Sequence, residues 1–435
     1  METTDAFLGL ACHDCGAAHD LAAAARCPDC GGPLDPTYDY DAVDPAAVRE
    51  AVAVKGTAAV EGTAAVEGTA AVEESAADGM WRFDALLPFP AASALSAREG
   101  GTPLVPADRL TDELDVAEVY IKDEARNPTG TALDRGLSVT MTAVSALDGE
   151  SGDDESGDDE SGGDPGVVEP LVCASPGNAG QSMAAYAGRT GLRSYAFVPS
   201  RCAFSNKAMT NVHGGEMRVV GGRHPDAVAA VDEQLATDYT DLTEFATPFR
   251  HEGAKTIAHE LAADLGWTAP DAVVVPTGSG EVVVGIAKGF RELETLGLID
   301  DRPRLVAAQA EGCAPIAAAL ERGIDDPEPW DTPDTICGEL EIADPAGGAW
   351  AVEAVRGSGG RGVTAGDDAI LESAVTVAQH EILEMGAAGG AAPAGAWELA
   401  EDGFFEGDET VVLLNTEAGL KTPDVLRSHL MGQGI

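Results

Sequence analysis

Two pairs of cysteines carry the plainest chemistry in this chain. Cys12-His13-Asp14-Cys15 and Cys27-Pro28-Asp29-Cys30-Gly31-Gly32 are CxxC knuckles, and each spacing lets two thiolates reach one tetrahedral ion. Four thiolates close the coordination sphere of zinc, so the ion implied by Cys12, Cys15, Cys27 and Cys30 is structural and leaves no position open for a reacting group. His13 and His19 read as bystanders. The histidines show no HxxxH or HxH spacing, and His213, His224, His251 and His259 are expected at the surface or in the core. A second pattern is Ser175-Pro176-Gly177-Asn178-Ala179-Gly180, a run of small residues at a strand-to-helix turn. There backbone N–H groups can approach an anion, and the helix N-terminus favours negative charge. Amines are scarce: the lysines are Lys55, Lys122, Lys207, Lys255, Lys288 and Lys421.

The elements that must position these residues follow from the apolar pattern. The 435 residues, 44% of them hydrophobic, suffice for two or three domains with a substantial core. Short apolar runs at 119–121, 171–173, 195–198, 217–220, 272–275, 305–309 and 410–414 alternate with helical stretches from about Trp81 onward. Such βα alternation predicts parallel sheets covered by helices, with function in the loops at the strand C-termini. Residues 55–73 repeat a six-residue unit rich in Ala, Gly and Thr and are expected to form a flexible linker. The tract from Asp148 to Asp164 combines Gly and Ser with dense acidic charge and is expected to stay disordered and exposed.

Lys+Arg of 26 against Asp+Glu of 75 gives a net charge of -49. That balance repels nucleic acid and anionic membranes, and it suits a protein hydrated in concentrated salt, where carboxylate repulsion is screened. A halophilic source is expected. No apolar run approaches the roughly 20 residues needed to span a bilayer, and the N-terminus lacks a signal-like segment, so a cytoplasmic protein is expected. Cys173, Cys202, Cys313 and Cys337 are scattered singly, as suits buried thiols in a reducing compartment.

Three runs fix a family resemblance: Glu99-Gly100-Gly101-Thr102-Pro103-Leu104, Tyr120-Ile121-Lys122-Asp123-Glu124, and Asn127-Pro128-Thr129-Gly130-Thr131-Ala132-Leu133-Asp134-Arg135-Gly136. In order and spacing they resemble the threonine synthases, pyridoxal-phosphate (PLP) enzymes of the β-family. The third run is similar to NPTGSFKDRG, whose lysine forms the internal aldimine, and Leu133 stands at that position. The flanking residues 127–131 and 134–136 fix the register. By the same resemblance Ser175 and Gly177 belong to the substrate-carboxylate loop and Asn178 faces the ring hydroxyl. Phe249 to Glu260 also matches, leading into Val274-Val275-Pro276-Thr277-Gly278-Ser279-Gly280-Glu281. Here Gly278, Ser279 and Gly280 would wrap the cofactor phosphate, while Glu281 and Val282 replace a Gly and an Asn. A carboxylate at that place repels a phosphate dianion. The alternative is that Glu281 points outward and its N–H still donates. Gln309 to Pro315 follows a family strand. Ala392-Pro393-Ala394-Gly395-Ala396 resembles EPAGA without its acid. Asn415-Thr416-Glu417-Ala418-Gly419-Leu420-Lys421 resembles the closing TGHGLK loop, with Thr416 as partner of the pyridine nitrogen and Ala418 at the histidine.

The resemblance implies an α/β protein of PLP-enzyme fold type II, with two parallel or mixed αβα domains and an N-terminal zinc ribbon. The expected division is 1–40 ribbon, 41–80 linker, 81–133 with 250–435 large domain, and 134–249 small domain carrying the acidic insertion 148–165. PLP chemistry needs a lysine amine to hold the cofactor and to move protons. Lys122, Lys255, Lys288 and Lys421 sit where the family carries lysines that are not the Schiff base, and Lys55 lies in the repeat. Lys207 is the remaining substitute and is expected to face solvent. The expected function is therefore a threonine synthase homologue without the original catalysis, a binding or regulatory protein. The alternatives are an active enzyme converting O-phosphohomoserine to threonine, a related amino-acid lyase, or a sensor of a small amino acid. A small amino-acid-like ligand and a homo-oligomer are the expected partners.

Overall fold

A computed structural model describes residues 2–21, 25–53, 79–151 and 167–432. Three sheets organise the described residues. The first is antiparallel, ordered β2-β1-β3, from β1 (Phe7–Cys12), β2 (Ala18–His19) and β3 (Leu34–Tyr38). Cys12 ends β1, and Cys15, Cys27 and Cys30 lie in the turns that connect the sheet's strands.

The largest sheet is ordered β12-β11-β10-β13-β5-β4. Its strands are β4 (Leu104–Pro106), β5 (Glu118–Asp123), β10 (Ala272–Pro276), β11 (Arg304–Ala310), β12 (Arg361–Ala365) and β13 (Thr410–Asn415). All neighbours are parallel except β4, which runs antiparallel to β5 along the edge. The run Ala272-Val-Val-Val-Pro276 is buried throughout, as a central strand covered by helices on both faces requires. The third sheet is parallel and ordered β8-β7-β6-β9, from β6 (Leu171–Ala174), β7 (Ser194–Pro199), β8 (Glu216–Val220) and β9 (Thr240–Asp241).

The expected linker 41–80 is corrected at its ends. Asp39 caps a turn at Tyr40–Ala42, the helix Pro45–Ala53 follows, and Val43 and Val48 enter the core beside Tyr38 and Phe83. At the other end Met80 and Trp81 are fully buried. Most of the repeat and the acidic tract, 54–78 and 152–166, lie outside the described residues.

The cysteine sheet is held to the large sheet's helices by buried charge. Asp35 of β3 receives Lys288 Nζ at 2.6 Å and lies 3.0 Å from His251 Nε2. Tyr38 hydroxyl donates to Glu252, and His13 stacks on Trp350 at 4.3 Å. Among the described residues no helix is long and apolar enough to cross a membrane.

Candidate functional site

The site lies where the C-terminal ends of both parallel sheets meet. Strand β6 ends at Ala174, and the chain turns through Ser175-Pro176-Gly177 into the helix Asn178–Thr190. Ser175 is buried, and its hydroxyl accepts from the Gly177 N–H at 3.0 Å. On the other sheet β10 ends at Pro276, and Thr277-Gly278-Ser279-Gly280 leads into the helix Glu281–Thr295. Gly280 holds φ +93°, a left-handed conformation that glycine adopts without strain.

The loop 127–136 closes the third side. Asp134 accepts from Thr129 N (2.7 Å), Thr129 Oγ1 (2.6 Å) and Ser182 Oγ (2.5 Å), which pins that loop to the Asn178 helix. Burial pushes Asp134 up to about 6. Arg135 is wholly buried and donates to both carboxylate oxygens of Glu124 and of Glu260 at 2.6–2.9 Å. Ala132 N donates to Thr416 O and Ala418 N to Gly130 O, both at 3.0 Å, bringing the 415–421 loop alongside. Leu133, Asn178, Gly278, Ser279, Gly280 and Thr416 consequently line one cavity of about 80 Å³, together with Glu281, Glu339 and Ala388. Ser175 and Gly177 do not line it.

A family model described as pyridoxal-phosphate dependent enzyme matches residues 95–417. The chain belongs to that family. It is 32% identical over 415 residues to the threonine synthase of Methanocaldococcus jannaschii, covering 95% of this chain and 93% of that protein. It is 34% identical over 329 residues to the threonine synthase of Mycobacterium tuberculosis, covering 75% and 83%. Among solved structures it is similar to a fungal L-serine ammonia-lyase from Rhizomucor miehei, with a TM-score of 0.63, 19% identity, and coverage of 78% and 99%. That likeness shows the shared fold, and the identities show a threonine synthase-like member of the PLP-dependent family.

The site of this PLP-family chain is crowded by acids. Glu281, expected either to face the phosphate or to point outward, does neither: its buried carboxylate accepts from Phe245 N at 3.0 Å and pairs with Arg250 Nη2 at 2.6 Å. Burial raises its proton affinity, and Arg250 opposes the rise. Asn178 is fully engaged. Its side-chain NH₂ donates to Glu417 Oε2 at 2.6 Å, its Oδ1 accepts from Asn206 at 3.2 Å, and its backbone N–H meets both Glu339 oxygens at 3.1 and 3.2 Å. Burial, and then the Glu417 carboxylate, push Glu339 up to about 8. Glu417 is likewise raised by burial, and Lys421 is lowered by it.

Glu339 and Glu417 were not legible as site residues. Glu417 lies inside a matched loop, where a bulky acid beside Thr416 was the available signal. Glu339 lies in a stretch with no motif.

The lysines end elsewhere. Lys122 Nζ meets Thr102 O, Glu260 and Asp264; Lys255 meets Glu252 and Glu292; Lys288 meets Asp35 and Glu252. Lys207 donates to Ser200 O at 2.6 Å, and Lys421 to Gln181 Oε1 at 2.7 Å. No lysine lines the cavity among the described residues. Ala392 packs in the core and Ala418 lies against Gly130.

In the cysteine sheet the four sulfurs lie within 4.8 Å of one another, with Cys12–Cys30 at 3.5 Å and Cys15–Cys27 at 3.7 Å. A tetrahedron with Zn–S bonds of about 2.3 Å has sulfurs roughly 3.8 Å apart, so the cluster is compatible with zinc. His19 Nε2 lies 3.3 Å from Cys27 Sγ, closer than a bystander was expected to lie.

Proposed function

We propose that this chain is a threonine synthase homologue whose PLP catalysis has been released, and that it serves as a binding or regulatory protein on the retained scaffold. The observation that carries the reading is Leu133, a hydrocarbon side chain on the cavity wall at the place where the resemblance puts the aldimine lysine. Leucine can neither hold PLP covalently nor move a proton. One further feature supports it. Asn178, the expected partner of the ring hydroxyl, is consumed by Glu417, Asn206 and Glu339. The residues present do not fit the cofactor, and no chemical step is assigned to it.

The reading includes a structural zinc ion on Cys12, Cys15, Cys27 and Cys30, a cytoplasmic and salt-rich setting, a small amino-acid-like ligand and a homo-oligomer. Titration with PLP, followed by absorbance, tests it against Leu133→Lys. Wild type is expected to show no aldimine band, and a saturable band in wild type refutes the proposal. Rescue of a threonine auxotroph by the gene would do so too.

The second reading, an active lyase, is favoured by Lys421. That lysine is buried, is held less basic than usual by burial, and shares its surroundings with Glu417 and Glu339. An aldimine band abolished by Lys421→Met would establish it.

A further inference from the structure

Between β11 and the helix Gly348–Gly357 the chain crosses the cleft as Asp334-Thr335-Ile336-Cys337-Gly338-Glu339-Leu340-Glu341, and each turn of this segment is fastened to something different. At its start Asp334 N donates to Gly312 O at 3.0 Å, so closely that a Cβ on Gly312 would meet Asp334 O at 1.9 Å. Thr335 Oγ1 and Ile336 N donate to the Asp367 carboxylate at 2.5 and 2.9 Å. In the middle, the Glu339 carbonyl lies against Gly278 of the expected phosphate loop, where a Cβ would approach it to 2.7 Å. The Glu339 carboxyl reaches the opposite wall, onto Asn178 N and Asn206 Nδ2 (3.0 Å). Gly177 permits this, because a Cβ there would meet Glu339 Oε1 at 2.6 Å and Asn206 Nδ2 at 2.4 Å. At the end Glu341, nearly buried, pairs with Arg201 at 3.2 Å and with Arg223, while Arg201 also donates to Thr335 O at 2.9 Å.

Asn178, Asn206, Arg201 and Arg223 belong to the loops and helices of the four-stranded sheet, whereas Gly278, Gly312 and Asp367 belong to the six-stranded one. The segment therefore straps one sheet's elements to the other's. It also fills the place where backbone N–H at a helix start would receive a carboxylate from outside. Glu339 stands in the wall shared by the 80 Å³ cavity and a neighbouring one of about 160 Å³. We propose that the 334–341 strap is an internal occupant of the cleft: its Glu339 carboxyl fills the carboxylate position at Asn178, its Glu341 holds the strap down on Arg201 and Arg223, and a small carboxylate ligand enters only by displacing it.

This inference rests on the reading of the cleft as free of aldimine chemistry. A PLP–lysine adduct would sink that reading, while titration of PLP-free protein judges the strap separately. The test is calorimetric titration of L-serine into the full chain in high KCl. Glu339→Ala, which empties the position, is expected to bind L-serine roughly tenfold or more tighter than wild type, and Glu339→Gln, which keeps it filled, to stay within about threefold. Arg223→Ala, on the half-exposed rim, loosens the strap without touching Asn178 and is expected to gain affinity in the same direction; it carries the test if Glu339→Ala does not fold. Equal affinity or no binding in a folded Glu339→Ala protein overturns the proposal. So does a Glu339→Gln variant that gains as much as the alanine, or a folded Arg223→Ala that gains nothing.

Discussion

Raising the pH should weaken this fold through Glu339 in a way that its glutamine variant does not share. The folded chain holds the Glu339 proton with an affinity raised from the ordinary 4.5 to about 8 by burial and by Glu417. The unfolded chain therefore binds fewer protons than the folded one between these values, and stability falls as pH rises. The contribution is fully present below about 4.5 and is lost as pH rises through about 8. At about 1.36 kcal/mol for each tenfold change in proton affinity, the whole interval corresponds to at most about 5 kcal/mol; sharing of the proton with Glu417 reduces the part assigned to Glu339 alone. The assay is urea denaturation at fixed high KCl from pH 5 to 9, followed by tryptophan fluorescence, with wild type and Glu339→Gln run in parallel. Wild type is expected to lose stability relative to the variant steadily up to pH 8–9. Parallel curves, or a variant that loses more than wild type at high pH, would refute the reasoning.

Arg135 is buried between Glu124 and Glu260, so Arg135→Met leaves two buried acids short of a partner and should cost about 3–5 kcal/mol by denaturant melts; a cost under about 1 kcal/mol would show that the network relaxes freely. Metal analysis of the purified protein should find one zinc per chain, and Cys15→Ser should lose it and expose the ribbon to protease while the PLP-fold core stays resistant. A net charge of -49 repels itself over a Debye length of about 30 Å at 0.01 M salt and about 3 Å at 1 M; the melting temperature should climb with KCl, and a flat profile would count against the salt-adapted reading.

How far the sequence foretold the molecule depends on what each element uses to fold. The central strands β10 and β13 are continuous apolar runs and could be read directly. Strand β12, Arg-Gly-Val-Thr-Ala, has no such run, because it lies at a sheet edge and buries few of its residues. The helix Pro45–Ala53 falls inside the expected linker, since the Ala-rich repeat beside it has a similar composition. In the site, the motif residues Leu133, Asn178, Gly278, Ser279, Gly280 and Thr416 meet at one cavity, as loops at strand C-termini should. What could not be read is where acids fold back. Glu281 finds Arg250 from another helix, and Glu339 finds Asn178 across 161 residues. Such long-range pairings depend on tertiary packing and leave no local periodicity.

The central claim, that this scaffold no longer forms a PLP aldimine, is tested most directly by trapping. The full chain is incubated with PLP in high KCl, reduced with borohydride, digested and mapped by mass spectrometry. The expected result is no reduced PLP–lysine adduct in the cleft. A stoichiometric adduct on Lys421 or Lys207 would contradict the claim and return the protein to the enzymes.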